Sequence, residues 1–168
     1  MMKVKHSFLV FAAAFLMVMP AFAKTGVVYQ RQDSLRIVSL LQQAKAMKKK
    51  PANWMMWFGK QFVGIPYVGG TLDRTREELL VVNTRELDCT TYVEIVTALT
   101  MCAKHQETSF AAFCNHLKHV RYIGGEVAYV KRQHYFTLWV DDNVQEGIVK
   151  DIPVSYTHLR AHETDQYL

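Results

Sequence analysis

Two residues forty-five positions apart could do covalent chemistry together: Cys89 in LDCTTYVEIV and His134 in KRQHYFTLWV. Asp88 stands where a helix N-cap is expected, which puts Cys89 at the first helical position. Backbone N–H groups are unpaired there and the helix dipole is positive, so thiolate is favoured over thiol. The neighbouring Asp88 carboxylate opposes this, and a positive partner such as imidazolium would offset it. The same free N–H groups could receive the oxyanion of a tetrahedral intermediate. The expected chemistry is nucleophilic attack on an acyl carbon. Against it stands the ordinary behaviour of free cysteine, which is most often a small buried hydrophobe.

The other cysteines sharpen the contrast. Cys102 lies thirteen residues after Cys89 on the same predicted helix, about 20 Å along the axis, so the two cannot bridge. Cys102 and Cys114 fall on consecutive helices; either they pair in an oxidising compartment or both are reduced core residues. If they pair, Cys89 is the odd free thiol. No CxxC and no Cys/His cluster at zinc spacing occurs, so a metal centre is not expected. His105, His116 and His119 sit at or near helix C-termini, where solvated capping is their ordinary role. His134 differs because it starts a segment read as a strand, where a base can be held rigidly; it gains meaning only through pairing with Cys89.

These residues must be positioned by the elements around them. Asp33 to Lys50 reads as a helix with Asp33 or Ser34 as cap and Ile37, Leu41, Ala44 and Met47 at helical spacing. The Lys48–Lys50 run suits a solvated C-terminus. Pro51 opens a short helix through Trp54, Trp57, Phe58 and Phe62, an aromatic group that serves packing rather than a sugar platform. Gly64 to Gly70 is turn-rich, Asp73 to Glu78 is charged, and Leu79 to Val82 is a short apolar run. Cys89 to Lys104 is predicted helical, with Tyr92, Val93, Val96, Leu99 and Ala103 on one stripe. Ser109 to His119 forms the next helix, and Gly124-Gly125 ends it. Tyr135 to Val140 and Gly147 to Ile152 read as antiparallel strands around an Asp141-Asp142-Asn143 turn. Helices first and strands afterwards make an α+β domain.

The 168 residues, half of them hydrophobic, suit one compact domain. A net charge of +5 without a basic, aromatic-interleaved stripe argues against a nucleic-acid partner. Residues 1–23 read as a secretory signal peptide: Lys3 and Lys5, an apolar run from Phe8 to Met19, then Ala21-Phe22-Ala23. The run is short for a membrane span, no cysteine follows the cleavage site, and the expected location is periplasmic or secreted with no stable membrane anchor. Residues 154–168, VSYTHLRAHETDQYL, have no hydrophobic period and resemble the translation of a transposon-end adapter used in sequencing. This tail is expected to be non-native, leaving His158 and His162 outside any site. The reading divides the rest into an N-terminal helical segment, 24–62, and a C-terminally truncated catalytic core, 63–153. A sheet cut near Pro153 is expected to leave an unpaired edge, with aggregation and poor activity as the result.

Three blocks in order, GIPYVGGTLD, LDCTTYVEIVTAL and RYIGGEVAYVKRQHYFTLWVDDN, resemble the NlpC-type, papain-like cell-wall hydrolases. They resemble most the N-acetylmuramoyl-L-alanine amidase-like branch. The resemblance runs from about Gly64 to Ile152. It implies a papain-like fold, Cys89 as nucleophile and His134 as general base. It also implies Asn143 as the group orienting the imidazole, in competition with Asp141, Asp142 and a residue beyond Pro153, and Tyr67, Asp88 and Arg132 along the substrate cleft. Peptidoglycan fragments or muropeptides would be the substrates, cleaved between the muramoyl lactyl group and L-alanine through a thioester, with no cofactor. Two other readings stand beside this one: a stem-peptide endopeptidase cutting between D-glutamate and the diamino acid, and a non-catalytic wall-binding protein.

Overall fold

The computed structural model describes residues 26–150. Residues 1–23, read above as a signal peptide, the tail and the end of the second predicted strand, Asp151-Ile152, lie outside them. In chain order the elements are β1 (Val27–Tyr29), α1 (Arg31–Ala46), α2 (Trp54–Lys60), β2 (Leu80–Val82), α3 (Cys89–Lys104), α4 (Phe110–Arg121) and α5 (Phe136–Gln145). Short 3-10 turns cover Ile123–Gly125 and Tyr129–Lys131. The domain is α+β and helix-rich, with α3 at its centre.

Burial explains that centrality. Ile95 to Thr100 are six consecutive buried residues, so α3 is enclosed all round rather than along the single stripe expected. Its apolar side chains Ile95, Val96 and Leu99 meet Ile37 and Leu41 of α1, Phe58 of α2, and Phe113 and Leu117 of α4 in one core. Charge is buried as well. Glu94 accepts a 2.8 Å hydrogen bond from Arg121 Nε, and Arg121 Nη1 donates to the Val81 carbonyl at 2.7 Å, tying α3, α4 and β2 together. Both side chains are almost wholly inaccessible. Burial raises the Glu94 carboxyl above its ordinary range even against the opposing pull of Arg121.

The N-terminus of α1 begins two residues earlier than read. Gln30 is the cap and Asp33 is the third helical residue, accepting from Gln30 N–H at 2.9 Å. Asp33 is fully buried, and its other oxygen accepts from Thr84 N (2.9 Å), Thr84 Oγ1 (2.8 Å) and Arg85 Nε (3.3 Å). This one carboxylate pins the approach to α3 onto α1, fifty residues away in sequence.

Two corrections concern the sheet. The strands β1 and β2 pair in parallel, Val27 with Leu80 and Tyr29 with Val82, where an antiparallel sheet late in the chain was expected. Residues 135–140 are not a strand: Phe136–Gln145 is α5, and 147–150 carry no strand either. The FTLWV run has β-type composition, but Trp139 and Asn143, four apart, are both buried on one helical face. The Asp141-Asp142-Asn143 segment, read as a turn, lies inside that helix. Among the described residues no helix is long and apolar enough to cross a membrane.

Candidate active site

The local sequence builds the start of α3 as an interlocked cap. Asp88 is extended, with φ −101° and ψ −177°. Its Oδ1 accepts from Thr91 N (2.8 Å) and Thr91 Oγ1 (2.7 Å), while Asp88 N donates to Thr91 Oγ1 at 3.0 Å. This fixes Cys89 as the first helical residue and leaves its sulfur exposed. The sulfur lies 3.9 Å from Thr90 Oγ1. The first N–H groups of the helix have no intrahelical acceptor, so donors and positive potential surround the thiol.

Tyr67 reaches this sulfur from a separate segment. The chain at Tyr67 pairs with Leu87 in an isolated parallel bridge, with Leu87 N donating to Pro66 O and Val68 N to Leu87 O, both at 3.1 Å. Cys89, Tyr67 and Asp88 line a cavity of about 240 Å³ whose apolar wall includes Phe62, Ile65 and Tyr92. The Cys89 sulfur is the main influence raising the Tyr67 phenol above its ordinary value, with partial desolvation and Asp88 adding to it. Gly59 gives the wall room: a methyl group there would stand 2.5 Å from the Tyr92 hydroxyl, so any larger residue would displace the Tyr92 side chain.

A second cavity, about 160 Å³, is lined by Thr71, Asp73, Asp88, Glu94, Arg132 and His134, among others. Asp88 belongs to both cavities, so the one holding the sulfur adjoins the one holding the imidazole. No hydrogen bond joins Cys89 to His134. Instead, the His134 Nε2 lies 2.9 Å from the Tyr129 carbonyl oxygen, and the ring packs on the Tyr129 ring at 4.5 Å. A carbonyl only accepts, so Nε2 is the donor, and in the neutral ring this selects the tautomer whose lone pair is on Nδ1. His134 is exposed and sits in the loop before α5, not at the head of a strand.

Arg132 is buried. Its Nη2 donates to Asp73 Oδ1 at 2.5 Å, its Nη1 lies 3.5 Å from Glu78 Oε1, and its guanidinium covers the Tyr129 ring at 5.3 Å. Asn143, expected beside the imidazole, points elsewhere. It is fully buried, and its Nδ2 donates to Val120 O (3.1 Å), Gln133 Oε1 (3.1 Å) and Trp139 O (2.8 Å). It docks α5 on the end of α4, and the acceptor on the imidazole is the Tyr129 main chain. Asp142, one of its competitors, is hydrogen-bonded by Gln133. Nothing in the sequence marked Tyr129, because a main-chain oxygen has no residue signature. Asp73 and Glu94 also escaped, the first within a charged run and the second within an apolar one.

The comparisons rest on the same segments. Residues 57–167 match the AmiA-like family, described as N-acetylmuramoyl-L-alanine amidase-like. The chain belongs to this family. The matched span holds both cavities and continues into residues 154–167, the stretch that the sequence reading set aside. Among solved structures, the chain is similar to an N-acetylmuramoyl-L-alanine amidase from Bacteroides uniformis, with 35% identity, TM-score 0.52, 62% of this chain and 41% of that one. It is similar to a Bacteroides fragilis protein provisionally described as a xylanase, with 30% identity, TM-score 0.52, 63% of this chain and 50% of that one. A Legionella pneumophila protein of the family DUF1460 matches at 26% identity and TM-score 0.58, over 69% of this chain and 38% of that one. The chain thus spans half or less of the length of these proteins. Among curated proteins, none matches it.

The three cysteines are free; Cys102 and Cys114 are both buried and unbridged. Burial, with Glu107 nearby, pushes the Cys102 thiol up to about 12, and burial alone pushes Cys114 up to about 11. Neither is a nucleophile at neutral pH.

Proposed function

We propose that this chain carries the nucleophile-bearing part of a cysteine amidase that hydrolyses the N-acetylmuramoyl–L-alanine bond of peptidoglycan fragments. The observation that carries the reading is the placement of Cys89: exposed, at the dipole-positive start of α3, in a cavity shared with Tyr67, inside the segment that matches the amidase-like family. The sulfur attacks the lactyl carbonyl carbon, and the electron pair of the carbonyl moves onto oxygen, towards the free N–H groups at the helix start. His134, deprotonated at Nδ1, takes the thiol proton and returns it to the leaving L-alanine nitrogen as the C–N bond breaks. Water then cleaves the thioester, releasing the muramoyl carboxylate and restoring the thiol. The Tyr129 carbonyl holds the imidazole tautomer that this sequence of steps needs. The papain-like reading fits the helix-borne sulfur, and the signal-peptide reading of residues 1–23 puts the enzyme in the periplasm or outside the cell, where wall fragments are met.

The test is incubation of the chain with a muramoyl tripeptide and mass spectrometry of both protein and products. The expected result is a peptide with a new L-alanine amine, or a single muramoyl adduct on Cys89, both absent in Cys89→Ala. A cut between D-glutamate and the diamino acid would replace this reading by the endopeptidase. Neither product nor adduct, or turnover that survives Cys89→Ala, would overturn it.

A further inference from the structure

At the opposite end of α3 the fold gathers a second set of chemically active side chains. Cys102 is the last buried residue of α3, Glu107 lies in the connection to α4, and His116 is on α4. Their ligand atoms all lie within 4.8 Å of one another. The His116 Nε2 and Glu107 Oε2 are 2.6 Å apart, and the His105 ring stacks on His116 at 5.6 Å and 14°. The thiol is inaccessible, the imidazole is 15% exposed and the carboxylate 42% exposed, so the set runs from core to surface.

We propose that Cys102, Glu107 and His116 form a binding site for a thiophilic divalent transition cation, of which zinc is the best fit. Sulfur, imidazole nitrogen and one carboxylate oxygen are a zinc donor set, and the exposed side of the cluster leaves a fourth position for water. Around zinc, neighbouring donors stand about 3.4–3.6 Å apart. The three atoms lie within 4.8 Å of one another, so small side-chain shifts bring them to that spacing, and the exposed Glu107 can swing to open its 2.6 Å contact with His116. A hydrogen bond between a carboxylate and an imidazole explains only two of the three residues. It does not explain a buried thiol turned to the same point.

Binding exchanges partners without changing oxidation state. The Cys102 S–H proton passes to solvent as the sulfur–metal bond forms. The proton that His116 Nε2 shares with Glu107 leaves through solvent, with Nδ1 keeping or taking up the remaining ring proton, so that the Nε2 lone pair coordinates, and Glu107 coordinates through one oxygen. The site would clip the α3–α4 connection, where Gln106 takes φ +59°. It lies about 20 Å along α3 from Cys89, so it is a structural clip outside the reacting cavity.

Cobalt(II), a coloured substitute for zinc, tests this on the full chain carrying Cys89→Ser, which removes the exposed thiol. The expected result is a sulfur-to-cobalt charge-transfer band saturating at one equivalent and displaced by zinc. His116→Ala and Glu107→Gln, both on the accessible side, should each weaken binding at least about tenfold. Zinc should raise the melting temperature of the parent chain and not of His116→Ala. Cys102→Ser should abolish the band; should that variant fail to fold, the other two decide. No band at stoichiometric cobalt, or a band indifferent to His116→Ala and Glu107→Gln, would overturn the site.

Discussion

Cys89 and Cys102 share one helix and differ in nearly everything that decides what a thiol can do. Cys89 stands at the N-terminal tip, exposed, beside unpaired N–H groups and a tyrosine hydroxyl. Cys102 sits thirteen positions later, inaccessible, with its thiol pushed up to about 12. Helix ends differ because the backbone has direction: donors gather at one end and acceptors at the other. The two ends are also held differently. Carboxylate hydrogen bonds hold the first, through Asp33 and Asp88, whereas apolar packing against α4 and the main-chain bond from Glu107 N to Cys102 O hold the second. Reactivity here is a property of place.

The comparison can be broken most directly with an alkylating probe. Iodoacetamide should label Cys89 in the native chain more than about a hundredfold faster than Cys102 or Cys114, since reaching the core requires an opening of at least about 3 kcal/mol. Peptide mapping of the modified chain reads the ratio, and equal rates would erase the distinction between the two ends. Next in size is Asp33, the buried carboxylate that secures the approach to α3. Asp33→Asn should lower stability by about 2–3 kcal/mol, read by urea unfolding at neutral pH. Burial alone would raise this carboxyl, but the N–H groups of Thr84 and Gln30, then the Thr84 hydroxyl and Arg85, outweigh it and hold it below 3.8. Its folded-state value is therefore the lower one. The stability it supplies is complete above about pH 4, the unfolded value, and is lost as pH falls through the folded value. Asp33→Asn should flatten that acid limb, and an unchanged profile would mean that Asp33 does not titrate with folding. The smallest effect belongs to the cap itself. Asp88→Ala should cost about 1 kcal/mol by the same unfolding measurement while leaving the labelling of Cys102 unchanged.

The region around Cys89 was readable because its determinants are adjacent in sequence. Asp88 and Thr91 close a cap within four residues, and α3 runs from Cys89 to Lys104 as its spacing predicts. Ser109 likewise caps α4, accepting from Ala112 N at 3.1 Å. What escaped depends on distant partners. The helical state of FTLWVDDN follows from Asn143 bonding the Val120 carbonyl at the end of α4, a contact that outweighs the strand propensity of the run. The pairing of β1 with β2 links segments about fifty residues apart and has no local signal. Glu94 lies in an apolar stretch of α3 and is explained only by Arg121, twenty-seven residues on. The Cys102–Glu107–His116 cluster crosses from one helix to the next, so a search for short metal spacings passes over it.

The hydrogen bond from His134 to the oxygen of Tyr129 has a practical consequence for anyone comparing related chains. Every amino acid carries that oxygen, so exchange of the phenol ring for another side chain leaves the acceptor in place as long as the turn keeps its shape. An alignment column at position 129 can vary freely and still conceal a constant part. The feature to compare across relatives is the path of the main chain from Ala128 to Arg132.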